Sequence, residues 1–363
     1  MKIAFLSDGA YEYAAGIPTA VGGAERDQWL LARALVVAGW SATVGVRGHL
    51  KMGDRKVIDG VEYVGIGQGQ IIWAWQRFLL AERPHWLFWE CSYHLWGLLV
   101  EIAKVARVRT IFHAAYDTDV EPRKALTWRK SWWPLYAWGL SRTDRIFVQH
   151  KEQLSKLDPR WQSKASVLPK VCVLPQSNGD APAVQLHAAR ENYVAWVAML
   201  RKHKRPDVLV EIARRMPHIR FVVCGGTTTL STPEGFGERI VDELRSLPNV
   251  EYRGQAAPEQ AMRVIAEAAM FLSTSDEEGF PNTFTQAWSV GTPVVSLRLD
   301  PDNLIERIGM GKVASSIDKA IGDIDFLMRS PQLREAIACR ARRFIVENHS
   351  AAKVIKLFEN ALA

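Results

Sequence analysis

The sequence predicts an α/β protein of two doubly wound domains facing one cleft, and three observations predict it. Short apolar runs that read as strands alternate with amphipathic helical patterns throughout, and the alternation restarts near residue 193. At 363 residues the chain is long for one domain and comfortable for two. Between the halves lies QSNGDAP at 176–182, polar, glycine-bearing and proline-ended, which reads as a linker. The expected division is therefore 1–178 and 179–349, with a final helix at about 350–363.

Residues 3–6 read as the first strand, broken at once by Ser7-Asp8 and too short for a signal-peptide core. A long loop leads to Gly22-Gly23. A helix then runs to about residue 37 with Trp29, Leu30, Ala34 and Val37 facing inward, and Gly39 stops it. A glycine pair before a helix start lets a diphosphate approach the backbone, because no Cβ intervenes. The plainer reading is a simple loop. Residues 42–46, 61–66 and 86–89 read as strands, with a helix before the last and another around 102–105. Gly65-Ile66-Gly67-Gln68-Gly69-Gln70 is no dinucleotide fingerprint, since its third glycine comes one residue early and no βαβ unit surrounds it.

Residues 110–113 form a strand that ends in His113, and sites in open α/β sheets gather at the carboxyl ends of strands. A histidine there is either a cleft residue or a hydrogen-bonded structural one. Tyr116, Asp117 and Asp119 follow in the same loop. Residues 123–145, RKALTWRKSWWPLYAWGLSRTDR, pack five large aromatic side chains among six basic ones, with Pro134 expected to kink or divide any helix. Interfacial rings with cations fit an anionic membrane surface. The alternative is a core-packed helix with solvated charges. Residues 145–148 are a strand, and 167–174 lead toward the second half.

That half restarts with a strand at 193–197, followed by the basic loop Met199-Leu200-Arg201-Lys202-His203-Lys204-Arg205 and a helix to about residue 216. Residues 221–224 with Gly225-Gly226 read as a strand and a tight turn, and 250–254 as a further strand. The most informative stretch is 270–297. A buried strand ends in an acidic turn, Asp276-Glu277-Glu278, and the bend Gly279-Phe280-Pro281 leads into an amphipathic helix. Asn282 stands at the expected N-cap, Thr283 in the first turn and Gly291 at the stop. Residues 293–296 are the next strand, and helices follow at 302–308, 317–328, 333–346 and 352–362. A helix mouth beside a glycine presents N–H groups and a positive dipole end to a phosphate. Glu278 is an acceptor suited to hydroxyls, and Gln286 can both donate and accept. Together they fit a ligand carrying phosphate and sugar; an ordinary strand–turn–helix with a solvated acidic turn is the plainer account.

Apolar content of 48% and charged content of 23% are those of a globular protein. The net charge of +7 points to an anionic partner. Four scattered cysteines with no C-x-x-C pair fit reduced thiols in a cytosol, and no run reaches the length of a membrane span. No nucleic-acid-binding module is recognisable.

Glu278-Gly279-Phe280-Pro281, Gln286-Ala287-Trp288 and Gly291-Thr292-Pro293-Val294-Val295 resemble the signature of family 4 glycosyltransferases, retaining enzymes of GT-B architecture. Gly22-Gly23-Ala24-Glu25-Arg26 resembles their first glycine loop. The resemblance implies a nucleotide-diphosphate sugar as co-substrate, no cofactor and no metal. It places the donor on the C-terminal domain and a glycan or lipid-linked acceptor on the N-terminal one. It gives the donor sugar to Glu278, while Gln286 stands where the family has a second glutamate at the ribose. Lys204 matches the lysine that grips the diphosphate; Met199 stands at the family's arginine position, leaving Arg201 as the second cation. His113 resembles the family's sugar-side histidine, and Tyr116 and Asp117 are acceptor-side candidates. The last helix is expected to cross back onto the first domain. The location implied is cytoplasmic, peripheral on the inner membrane leaflet. Rival readings are a nucleotide-sugar epimerase of the same architecture and a non-catalytic nucleotide-sugar-binding protein.

Overall fold

The computed structural model describes residues 1–17, 22–126, 129–174, 190–228 and 232–363; the expected linker at 176–182 and Trp128 lie outside them. The chain divides into two units, Met1–Val171 with His349–Ala363, and Cys172–Asn348.

In the first unit eight strands form one sheet: β1 (Lys2–Leu6), β2 (Ser41–Val46), β3 (Arg55–Ile58), β4 (Val61–Gly65), β5 (Trp86–Glu90), β6 (Arg109–His113), β7 (Arg145–Val148) and β8 (Ala165–Val167). Their order is β3-β4-β2-β1-β5-β6-β7-β8, parallel except for the antiparallel pair β3–β4. Both faces of the central strands are buried, which is why Ile3, Phe5 and Phe88 sit in one core and Ala4, Leu87 and Phe112 in the other. The edge strands β3 and β8 were not expected, because their sequences carry no fully apolar run.

Three local corrections have simple causes. The long loop after β1 contains a helix, Asp8–Ala14, which Ser7 caps by accepting from the Ala10 N–H at 3.1 Å. The helix Gly23–Val37 buries Leu30 and Ala34 as expected, but Trp29 is only partly buried and Val37 is 89% exposed, since the last turn overshoots the sheet. Pro134 neither kinks nor divides a helix: it stands in the first turn of Trp133–Arg142, where its missing N–H costs nothing. The helix Ala351–Leu362 belongs to the first unit, with Val354, Ile355 and Phe358 in its core and Trp40 donating to Glu359 at 2.8 Å.

The second unit holds β9 (Glu191–Val197), β10 (Arg220–Cys224), β11 (Val250–Tyr252), β12 (Ala268–Ser273), β13 (Val294–Ser296) and β14 (Gly311–Val313). All neighbours are parallel, in the order β11-β10-β9-β12-β13-β14. The unit's first and fourth strands, β9 and β12, are thus adjacent, and the chain order reverses between them. In such sheets that reversal opens a crevice at the carboxyl ends, where ligands bind.

Candidate functional site

The loops leaving β9 and β12 carry the basic stretch 199–205 and the acidic turn 274–281, so the topology brings them together at the reversal point. They are fastened to each other. The Thr274 hydroxyl accepts from Trp196 Nε1 at 3.0 Å and donates to the Lys204 carbonyl at 2.6 Å. The Asp276 N–H donates to the His203 carbonyl at 2.8 Å. The Arg205 guanidinium reaches Asp276 at 3.1 Å and Asp207 at 3.0 Å. At the end of this seam Lys204 Nζ and a carboxylate oxygen of Glu278 form an ion pair with both side chains mostly buried. Two residues predicted separately from the sequence therefore meet.

Arg201 lies in the same loop, and its buried Nε has no hydrogen-bond partner among the described residues. His203 is pushed down to about 4, first by burial and then by the Lys204 charge, so it is neutral at physiological pH. The bend after Glu278 is anchored by Phe280, which packs on Trp288 with ring centroids 6.1 Å apart. Asn282 is not the N-cap: the helix runs Asn282–Ser289, Pro281 takes the cap position and no side chain caps the end. A proline has no side-chain acceptor, so Pro281 itself cannot cap the first turn. Gln286 follows one turn later, partly exposed, and Gly291 ends the helix with φ 76° as expected. Gly225 closes β10 against the Ala198 carbonyl so tightly that any Cβ would collide with it. Its own carbonyl accepts from the Tyr252 hydroxyl at 2.7 Å.

In the first unit Gly22 has φ 112° and precedes the helix Gly23–Val37; a Cβ there would run into the Glu25 carboxylate. His113 stands at the carboxyl end of β6 but does not face open space. It is 4% exposed, beside Phe88, with Nδ1 3.2 Å from a Glu90 oxygen. It lines a small cavity of about 10 Å³, room for one water, shared with Asp27, Glu90 and Lys170. Burial holds His113 down at about 4 and pushes Glu90 well above the usual carboxylate range. Asp117 is engaged as well, by His150 at 2.9 Å and Lys156 at 2.7 Å; burial raises its pKa, but these two bonds outweigh that and leave it low. The Tyr116 carbonyl accepts from Gln153 at 2.9 Å.

The basic, aromatic segment divides between the two expectations. Tyr136 is buried and donates to the Asp119 carbonyl at 2.7 Å. Trp132 and Trp138 are 40% and 43% exposed, beside exposed Lys124, Arg129 and Lys130. No helix among the described residues is long and apolar enough to cross a membrane, and none of their acidic, histidine and cysteine groups cluster as metal ligands. All four cysteines are free thiols.

The seam itself was missed in the sequence. Thr274, Asp276 and Arg205 act through partners about 70 positions away, and no local pattern announces such pairing.

The family model described as Glycosyl transferases group 1 matches residues 179–344, nearly the whole second unit. The D-inositol 3-phosphate glycosyltransferase of Mycobacterium sp. (strain KMS) is 30% identical over 176 residues, 45% of this chain and 40% of that protein. Its counterpart in Mycobacterium leprae (strain TN) is 31% identical over 107 residues, 29% of this chain and 25% of that protein. The chain thus spans less than half the length of the curated relatives it matches. Among solved structures, sucrose-phosphate synthase from Thermosynechococcus elongatus superposes with a TM-score of 0.77 at 15% identity, over 100% of this chain and 99% of that one. HepE of Anabaena, solved with UDP and glucose, gives 0.76 at 14% identity, over 100% of this chain and 99% of that one. The fold is that of the GT-B glycosyltransferases, two Rossmann-like units, and the second of them carries the group 1 match.

Proposed function

We propose that the chain is a retaining, metal-independent glycosyltransferase that takes a sugar from a nucleotide-diphosphate donor held by the second unit. The acceptor is a glycan or lipid-linked molecule met by the first unit. One observation carries this reading: Lys204 and Glu278 lie side by side where the strand order of the second unit reverses.

The chemistry follows from the residues. Breaking the bond to a diphosphate leaves negative charge on the departing oxygen, which needs preorganised positive potential. Lys204, Arg201 and the positive dipole end of the helix Asn282–Ser289 supply it, without calling on a metal. Glu278 accepts from the sugar hydroxyls and holds the ring while positive charge develops at its anomeric carbon. Gln286 bonds the ribose diol through an amide. Gly225 lets the backbone after β10 pack on the Ala198 carbonyl within the second unit. The UDP and glucose bound to HepE support the choice of donor class.

A second reading, donor binding without turnover, is favoured by Met199, an apolar residue at the family's arginine position, and by the amide of Gln286. One experiment separates the two. UDP-, GDP- and ADP-sugars are screened by thermal shift, since a ligand of the native state raises Tm. At least one should raise it, and Lys204→Ala and Glu278→Ala should each reduce the rise. Turnover with a sugar acceptor, the product keeping the donor's anomeric configuration by NMR, supports transfer; binding with no turnover on any acceptor supports the second reading. No shift with any donor rejects both.

A further inference from the structure

We propose that Arg205 is a positioning residue: its guanidinium, forked between Asp207 and Asp276, sets Lys204 for the donor diphosphate. The proposal rests on the reading that Lys204 meets that diphosphate. Arg205 has φ 51° and ψ 53°, a left-handed conformation that side-chain-bearing residues rarely adopt. It follows the short turn Lys202–Lys204 and precedes the helix Pro206–Arg215. The reversal at Arg205 lets neighbouring side chains diverge, Lys204 toward Glu278 and Arg205 toward the two aspartates.

All three nitrogens of the fork are engaged. Nε and Nη2 reach the two Asp207 oxygens at 3.1 and 3.0 Å, and Nη1 reaches Asp276 Oδ2 at 3.1 Å. Asp276 in turn bonds the His203 carbonyl through its own N–H. The main chain of Lys204 is thus held on one side by Thr274 and on the other by a clamped neighbour. A lysine has four rotatable side-chain bonds and no geometric preference of its own, so its ammonium is only as well placed as its backbone. Asp276 belongs to the acidic turn that ends in Glu278. One ionic clamp therefore fixes both the cation for phosphate and the carboxylate for sugar.

The test measures binding of UDP, GDP and ADP, and of the matching monophosphates, to the full chain by calorimetry. Arg205→Ala and Asp276→Asn should each weaken the diphosphate about 10-fold, within the range of coupled neighbours, and leave the monophosphate within about 2-fold. Added to Lys204→Ala, either change should cost nothing further, because the clamp acts through Lys204. Arg205→Gly relieves the left-handed backbone and should still lose as much as Arg205→Ala. Asp276→Asn leaves that backbone untouched, which keeps the test decisive should Arg205→Ala fold poorly. Equal losses for diphosphate and monophosphate, additive losses with Lys204→Ala, or wild-type affinity in Arg205→Gly overturn the proposal. If the wild type binds no nucleoside diphosphate, the donor reading falls and this inference with it; if the wild type binds and the variants match it, only this inference falls.

Discussion

Lys204 and Glu278 neutralise each other in one ion pair, so the proposed donor competes for both at once. On the proposed reading, a diphosphate that engages the lysine leaves a partly buried carboxylate, and sugar hydroxyls then relieve its cost. His349 offers a second residue-scale expectation. Its Nδ1–H donates to the Lys170 carbonyl at 2.9 Å, and burial pushes it down to about 4. The folded protein therefore binds fewer protons here than the unfolded chain between about pH 6.5 and 4. This contribution is complete above pH 6.5 and is lost as pH falls through that window, by up to about 3 kcal/mol. Glu90, pushed up beside His113, runs the other way, so His349 is the cleaner probe. His349→Asn keeps a donor for the carbonyl and cannot titrate; its Tm should fall less than wild type's between pH 6.5 and 4, and an equal fall would refute the assignment. The sequence named Lys204, Glu278 and Gln286 because each sits in a recognisable local pattern. It placed Asp276 in the acidic turn and Arg205 in the basic loop but gave no sign that they pair, which lies in side-chain geometry and in one residue's φ.

Among the elements, those buried on both faces were legible and those on one edge were not. β12, AAMFLS, is buried at every position and reads as a strand unaided, whereas β3, RKVI, lies mostly exposed and declares itself only by pairing with β4. The cap of the helix Asn282–Ser289 was misplaced by one residue, because asparagine favours N-caps while proline, standing just before it, fixed the turn. The helix Trp133–Arg142 carries its own expectation. Exposed Trp132 at its mouth and Trp138 on its surface, with nearby Lys124, Arg129 and Lys130, should hold the protein on anionic vesicles. Co-sedimentation with phosphatidylglycerol vesicles should exceed that with phosphatidylcholine and fall with salt. Trp132→Ala with Trp138→Ala should weaken it. Equal sedimentation with both lipids would count against a membrane face.

At the scale of the whole molecule, the first unit is completed by a helix that follows the second unit in sequence. Phe358 is fully buried, against Trp40 at 5.7 Å and Phe147 at 5.3 Å between ring centroids. Phe358→Ala should cost about 3–5 kcal/mol by leaving a cavity, read as a lower urea midpoint of the first unit's transition. An unchanged midpoint would mean the helix is not part of that core. The two-unit plan was legible from alternation and length, but the exchange at 171/172 was placed a few residues late, because the polar stretch that marks a linker lies beyond the last core residue of the first unit. The return of Ala351–Leu362 also sets an order of events. On the ribosome, every residue of the second unit emerges before this helix does. The inserted unit can therefore reach its native state while the first still waits, with an open groove of apolar side chains, for its final segment. A chain truncated after residue 348 and released should accordingly be protease-resistant in its later half and a chaperone client in its earlier one.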